Sequence, residues 1–467
     1  MSLPAAPRRR TKPASDKDDT GRARAADGAR SRAIVPVEAP PHPSRKSLRG
    51  LDWFVFFVAN VQTGFGPFIS VYLTSAAWTQ VDIGIVLSIG SLVALLGQMP
   101  GGAIVDAVPS ERLVAAVSVS LIGISALIFA LWPIYIAVLG ASVLHSAASC
   151  VLGPAMAAIT LGLVGHGGMS ERLGRNARFA AIGNGIAAAA MGACGYWVSN
   201  RAVFVVTAVL MVPALFSLAF IRPAEIDPER AHGGQPEQPP VRPLSSLWQP
   251  GRIKPLLIFS AAFMLFQLAN AAMLPLMGSV LTMRSSRWAS VLIAACIVVP
   301  QLLVALISPW IGRRAQLVGR RPLLLLGFAV LPIRGVLFAV IHNPEVLVIA
   351  QLLDGISGAV FGVLVPLVVA DVTRRTGHFN LALGITGTAI GIGASLSTTL
   401  AGYVSDHSGS ESAFIVLAVI AAAGLACIWA FMPETRPEDQ ESGIRGQVSE
   451  DRASGVRYQR ADLTPDR

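Results

Sequence analysis

The sequence predicts an all-α integral membrane protein, with twelve transmembrane helices in two pseudo-symmetric six-helix bundles. Its 467 residues are 53% hydrophobic and only 14% charged, with a mean hydropathy of +0.60, whereas a soluble domain carries about 25% charged residues. Too few charges remain for a water-exposed shell. The chain also repeats itself: Pro67 is answered by Pro275, Gly102 by Gly312, His145 by Asp354 and Gly195-Tyr196 by Gly402-Tyr403, each after a nearly constant interval. Arginines, finally, alternate between the short connections in a way that sorts them into two sides.

Each apolar stretch is long enough for the roughly 20 residues a crossing needs. The first, 52 to 75, follows the basic run Arg45-Lys46-Ser47-Leu48-Arg49 and has Trp53 near its start. After Trp78 the second runs from 81 to 105, and Arg112 leads into the third, 113 to 131, closed by Trp132. The fourth spans 134 to 162, and Arg172, Arg175 and Arg178 separate it from the fifth, 178 to 199, which ends at Trp197. The sixth covers 202 to 221. In the second half the spans are 255 to 277, 288 to 311, 322 to 341, 345 to 371, 379 to 404 and 412 to 432, with Trp288, Trp310 and Trp429 near ends. Such placement is that of an interfacial aromatic belt. Internal Gly and Pro are tolerated because lipid forces every backbone group to be satisfied within the protein.

Connections after spans two, four, eight and ten hold Arg112, Arg172, Arg175, Arg178, Arg313, Arg314, Arg320, Arg321, Arg374 and Arg375; the opposite ones hold Arg201, Arg284 and Arg287. Positive charge stays inside, so both termini are expected in the cytoplasm and the chain in the plasma (inner) membrane. The net charge of +10 does not point to nucleic acid, since 12 of the 37 basic residues lie in the first fifty positions, a Pro-, Ala- and Arg-rich tail expected to be disordered. The basic run before the first span suits attraction to anionic lipid head groups. Arg8-Arg9-Arg10 lies too far from an apolar run for an export signal, so no cleaved leader is expected. Cys150, Cys194, Cys296 and Cys427 all fall inside spans without metal or redox spacing, and read as small apolar filler.

The expected organisation is a basic tail (1–50), a first six-helix bundle (51–221), a Pro- and acid-rich cytoplasmic linker (222–253), a second bundle (254–432) and a charged, disordered tail (433–467). Over residues 51 to 433 the chain resembles the major facilitator superfamily. The likeness rests on the signature G-x-x-x-D-x-x-G-R-[KR] between spans two and three and its echo between spans eight and nine. Gly102, Asp106 and Arg112 keep part of the first copy, with Pro109 and Ser110 where Gly and Arg are usual. Gly312, Gly319, Arg320 and Arg321 keep the frame of the second, with Gln316 in place of the acid. Glycine permits close helix approach, an acid suits a helix N-terminus, and the cations are expected to pair across the cytoplasmic seam as an inner gate. The alternative for the arginines is topology alone.

A charge inside the bilayer costs at least about 2.5 kcal/mol on insertion scales. Arg334 and Asp354 fall deep in spans nine and ten at matching depth, so they are able to meet, either as a structural ion pair or as a coupling site. His145 shares their depth in span four, where superfamily drug exporters often carry Arg; it is a candidate for proton coupling or for lining the substrate cavity. Gln62 and Asn270 are repeat mates five residues before Pro67 and Pro275, prolines that let a helix bend near a cavity, and are substrate-contact candidates or interhelical hydrogen-bonders. Glycines 183, 185, 192 and 195 in span five and 384, 387, 391, 393 and 402 in span eleven supply small surfaces for sliding. No nucleotide-binding loop, catalytic constellation, metal set or cofactor is expected.

The resemblance implies a secondary active transporter, monomeric in the bilayer, in which a central cavity opens to alternate sides. Sparse intramembrane charge suggests a small organic substrate exchanged against protons, with efflux of drug-like or metabolic compounds favoured over uptake of a nutrient. A membrane sensor or assembly factor would need a folded soluble domain, and the tails and linker look too polar and short for one.

Overall fold

The computed structural model describes residues 43–63, 65, 68–234, 247, 249–284 and 289–436. Pro67, Ser285, Arg287, Trp288, most of the two tails and residues 235–246 of the linker lie outside the described residues. Every regular element described is helical: α1 (Arg45–Thr63), α2 (Phe68–Ser75), α3 (Gln80–Ala107), α4 (Glu111–Leu131), α5 (Tyr135–Trp197), α6 (Asn200–Ala219), α7 (Pro228–Ala231), α8 (Pro250–Asn270), α9 (Met273–Arg284), α10 (Ala289–Val318), α11 (Arg321–Val340), α12 (Pro344–Ala350), α13 (Leu352–Val372) and α14 (Phe379–Phe431).

Local chemistry sets many of the helix starts. Side-chain oxygens of Thr79, Ser110, Ser199, Asp227 and Asn343 each accept a backbone N–H from the turn they precede, which satisfies donors that no intrahelical partner reaches. Among the described residues nine helices are long and apolar enough to cross a membrane, ten if α1 and α2, bent by 41°, count as one. Twelve were expected. The difference arises in α5 and α14, which are 63 and 53 residues long. At about 1.5 Å per residue each far exceeds the ~30 Å hydrocarbon core. Both contain one glycine off the helical path, Gly165 (φ 62°) and Gly409 (φ 84°). Only a residue without Cβ takes that conformation cheaply, so each chain reverses there with almost no intervening loop. Gly165 follows the expected end of span four, and Gly409 falls between spans eleven and twelve.

Besides the first span, bent between α1 and α2, two more of the expected spans are interrupted. The seventh is divided at Ala271–Ala272 between α8 and α9, with Pro275 in the first turn of α9, where its missing N–H leaves no bond unmade. The tenth is divided at Gln351 between α12 and α13.

One hydrophobic cluster is built from α1 to α7 and another chiefly from α8 to α14. In the first, Phe129 and Phe204 stack at 5.1 Å while Phe65 meets both edge-on. In the second, Phe263, Phe266, Phe328 and Phe361 interlock, with Phe266 and Phe361 centroids 4.7 Å apart. Edge-to-face rings of this kind add roughly 0.5–1.5 kcal/mol per pair beyond area burial.

Charge also ties α1 to α5. Asp52 is 2% exposed and accepts from Arg172 at 2.6 Å and from Arg175 at 2.6 and 2.8 Å. Arg172 further donates to Asn176, whose amide donates to Thr160 across the Gly165 reversal. Arg172 and Arg175, read as orientation signals, therefore also hold a packed charge.

Replacing Asp52 with Ala leaves Arg172 buried without its partner, and the expected loss is about 3–5 kcal/mol. Monodisperse protein recovered in detergent should fall sharply, and the double change Asp52→Ala with Arg172→Met should recover part of it. An unaltered unfolding temperature in the single variant would show that the triad contributes nothing.

Candidate functional site

At the end of the helices that carries the arginine-rich connections, α3 and α14 touch. The backbone at Gly102 lies against the Asn380 carbonyl so closely that a Cβ would overlap it. One turn on, the Asp106 carboxylate accepts the backbone N–H of Asn380 at 3.2 Å and of Leu381 at 2.8 Å, and the Asn380 side-chain amide at 2.8 Å. Asp106 thus caps the first turn of α14 from another helix, where free N–H groups and the positive pole of the helix favour an anion. Gly384 continues the seam against the Gln98 carbonyl, and Gly391 against Leu95.

A second seam at the same end joins α5 to α10. Gly312 lies against the Ser170 carbonyl, and a Cβ on Gly174 would stand 2.6 Å from the Ser308 carbonyl. The Gln316 amide donates to the Gly167 carbonyl at 2.9 Å, so the residue standing in place of the acid also spans the seam. Further along the two helices Gly185 only grazes Gln301, at 3.9 Å, while Gly192 on α5 and Gly402 on α14 face open space. The tightest of these glycine approaches are thus those at Gly102, Gly312 and Gly384, toward the arginine-rich end.

The basic residues of the signature behave differently from the sequence expectation. Arg112 donates to the Leu218 carbonyl of α6. Arg320 is 1% exposed, pairs with Asp371 of α13 at 2.9 Å and donates to the Ala315 carbonyl. Arg321 donates to the Trp429 carbonyl, while Glu434 accepts the backbone N–H of both Arg320 and Arg321 beside Gly319. All of these stay on one side of the seam. Their reach is used up by buried carbonyls and carboxylates close to their own helix, and the crossing is made by Asp106, glycine backbones and Gln316, with the exposed Arg313–Glu171 pair (3.6 Å) also joining charge across.

The segment after α6 adds a part the sequence reading missed. Phe379 and Arg375 donate their backbone N–H groups to the carbonyls of His232 and Gly233, at 3.2 and 2.7 Å. The His232 ring stands 3.3 Å from the Glu111 carboxylate, an ion-pair distance without hydrogen-bond alignment. Burial alone would weaken proton binding by His232, but Glu111 and the charge of Asp106 outweigh it and raise the ring above the ordinary histidine range. A signal existed only in Glu111 following Ser110, which reads as a helix start.

Deeper in the helices, Arg334 on α11 is 2% exposed and donates to both Asp354 and Asn270, with the Met273 sulfur at 3.5 Å. Asn270 is the last residue of α8, and Asp354 stands in the first turn of α13 just after the break at Gln351. Arg334 therefore faces a helix C-terminus and Asp354 sits on a helix N-terminus, each matching the local dipole. The expected meeting of Arg334 and Asp354 occurs, and it draws in Asn270, which Gln267 also joins at 3.3 Å. The Asp354 side chain keeps 34% exposure. His145 is elsewhere: its ring stacks on Phe65 at 3.8 Å and its Nδ1 is buried without a partner. Gln62 is partly buried near the end of α1, next to Thr63, which hydrogen-bonds Asn184 of α5 at 3.0 Å.

Comparison with known proteins bears on the family and the fold. The sequence model of the MFS_1 like family matches residues 48–416. An uncharacterised MFS-type transporter of Mycobacterium tuberculosis is 39% identical over 412 residues, covering 86% of this chain and 96% of that protein. Multidrug resistance protein 1 of Bacillus subtilis is 31% identical over 154 residues, or 33% of this chain and 38% of that one. Among solved structures, the human organic anion transporter MFSD10 superposes with a TM-score of 0.64 at 15% identity, over 84% of this chain and all (100%) of that one. The fucose:proton symporter FucP of E. coli also scores 0.64 at 15% identity, over 82% and 97%. A family match over most of the chain, a full-length relative and the shared helical fold place this chain in the MFS_1 like family of the major facilitator superfamily, as an integral membrane protein of a transporter family.

Proposed function

We propose that the chain is a secondary active transporter that moves a small organic solute across the plasma (inner) membrane by alternating access, with proton-coupled efflux as its direction. The observation that carries this reading is the one-sided closure between the two runs of helices: α3 on α14 and α5 on α10 at the arginine-rich end, with Gly192 and Gly402 in open space at the other. With that end in the cytoplasm, this is an outward-facing shape. The Asp106 cap is then the inner gate, because opening the cytoplasmic side strips the first turn of α14 of its acceptor. Gly102, Gly312 and Gly319 belong to the gate as backbone approaches, and Arg112, Arg320 and Arg321 as the groups that brace it from each side.

Asp354 and Arg334 form the coupling site in this reading. Tilting α13 at its break separates the pair, and in this reading that separation is the step coupled to the proton gradient. His145, Gln62 and Asn270 line the route of the solute. The multidrug resistance name of the Bacillus subtilis relative supports efflux, over the third of this chain that it matches. Deletion and overproduction, scored on a panel of toxic compounds, test the direction: resistance with lower internal accumulation is expected, and growth dependence on a single nutrient would reverse it.

Orientation is checked by single cysteines. Placed at position 234 in the linker and at position 285 in the connection opposite, they should respond unequally to an impermeant thiol reagent in intact cells. Position 285 should label and position 234 should not; the reverse would invert every inside and outside assignment.

For the gate, Asp106→Asn removes the anion from the α14 N-terminus, where a charge is worth roughly 0.3–2 kcal/mol. Expression should hold while spectroscopic distances between α3 and α14 lengthen at the arginine-rich end and transport slows. Unchanged distances with unchanged transport would reduce the signature to a topology signal.

For coupling, Asp354→Asn should abolish gradient-driven accumulation while solute binding and exchange persist. A structural ion pair behaves otherwise: Asp354→Asn would then merely lower folded protein, and adding Arg334→Gln would restore full gradient-driven transport.

A further inference from the structure

We propose that a cleft between α1 and the end of α6 is a binding site for one anionic glycerophospholipid, its phosphate held by Arg45, Lys46 and Arg49 and an acyl chain lying along Trp53, Phe216 and Phe220. The inference rests on the chain lying in a bilayer and is independent of what is transported or in which direction.

The cleft has a volume of about 600 Å³. Its geometry follows from spacing. Arg45, Arg49 and Trp53 are four residues apart along α1 and so stack on one face, over about 12 Å at 1.5 Å per residue. Gly50 forms the floor: a Cβ there would stand 3.0 Å from both the Phe220 Cβ and the Ser217 carbonyl, so only glycine lets α1 approach α6 this closely. The aromatic wall of Trp53, Phe216 and Phe220 then stands on either side of a groove that starts among cations and runs into the apolar belt. A head group and a chain are arranged along a phospholipid in that order.

The cations are available. Arg45, Lys46 and Arg49 are exposed, and none has an ion pair with a described residue; Lys46 instead lies 5.2 Å over the Phe220 ring. No acid occupies the first turn of α1. Arg172 and Arg175, by contrast, share the single negative charge of Asp52. Those two line a second cleft of about 520 Å³ on the far side of Arg45 and Arg49, where Glu171 adds a negative charge. Three unmatched cations at the mouth of an apolar groove complement an anionic phosphate attached to hydrocarbon; a free anion would leave the groove unfilled, and a zwitterionic head group would bring its own cation against three others.

The full chain, purified in neutral detergent, is titrated with phosphatidylglycerol, with phosphatidylcholine and with inorganic phosphate, and bound lipid is counted by native mass spectrometry. Phosphatidylglycerol should bind at one high-affinity site. At roughly 1 kcal/mol per basic residue, the triple variant R45Q/K46Q/R49Q should bind it about 100-fold more weakly, while R313Q/R314Q, on the same side of the membrane, should not change. Equal weakening in both variants would mean diffuse surface attraction and overturn the site, as would undiminished binding in the triple variant. Competition by millimolar inorganic phosphate would make it a free-anion site. Should the triple variant fold poorly, quenching by phosphatidylglycerol brominated on its acyl chains decides on the native sequence: Trp53→Phe should remove the saturable part of the quenching, and a saturable part that survives it would overturn the placement.

Discussion

The Asp106 carboxylate accepts three N–H groups at the start of α14, and the two runs of helices are joined at that point by a contact that neither run makes alone. Hydrogen bonds to an ionised acceptor contribute roughly 1.5–3 kcal/mol each, yet these rest on an arrangement, since a helix N-terminus offers its donors only to something placed on its axis. The close backbone approach of Gly102 to Asn380 puts the carboxylate there, and the His232 and Gly233 carbonyls take the neighbouring donors of Phe379 and Arg375. The result is a polar joint with nearly all donors matched, at a depth where water is scarce. Separating α3 from α14 would leave these donors and the carboxylate without their partners.

The bilayer imposes the same logic on the remaining buried charges. Asp52 is shared by Arg172 and Arg175, Arg320 is taken by Asp371 and the Ala315 carbonyl, and Arg334 bridges Asp354 and Asn270. Charges without partners would be expelled or neutralised. The first two are units inside one run of helices, with Asp52, Arg172, Arg320 and Asp371 almost free of solvent and only Arg175 of their members exposed. The third differs, because its acid retains a third of its exposure and both its partners stand at helix breaks. Arg334 itself stands inside the continuous α11, so of the three units this one alone joins a fixed cation to two partners at helix breaks.

Much of this was legible in the sequence because membrane insertion reduces the choices. Hydropathy and arginine placement gave helices with nearly the observed ends, and caps such as Ser110, Ser199 and Asn343 sit where spans were expected to begin. Depth counting brought Arg334 to Asp354, since two antiparallel helices of known rise leave one free parameter. The reversals at Gly165 and Gly409 fall between spans expected as separate, but how short they are was not legible, nor was the break at Gln351, which has no proline. The partners of the cations were not legible either. Arg112, Arg320 and Arg321 have long side chains that reach whichever carbonyl is nearest, and neither Glu434 nor Asp371 is marked by local pattern.

His145 shows the limit most clearly. Repeat symmetry sets it opposite Asp354, and symmetry of backbone is what a repeat preserves, but its ring lies flat on Phe65 while Asp354 meets a guanidinium. The ring is stacked, and its Nδ1 is buried without a partner among the described residues. The two halves therefore match in backbone but not in side chains: at repeat-related positions the second carries a charge pair and the first a stacked ring.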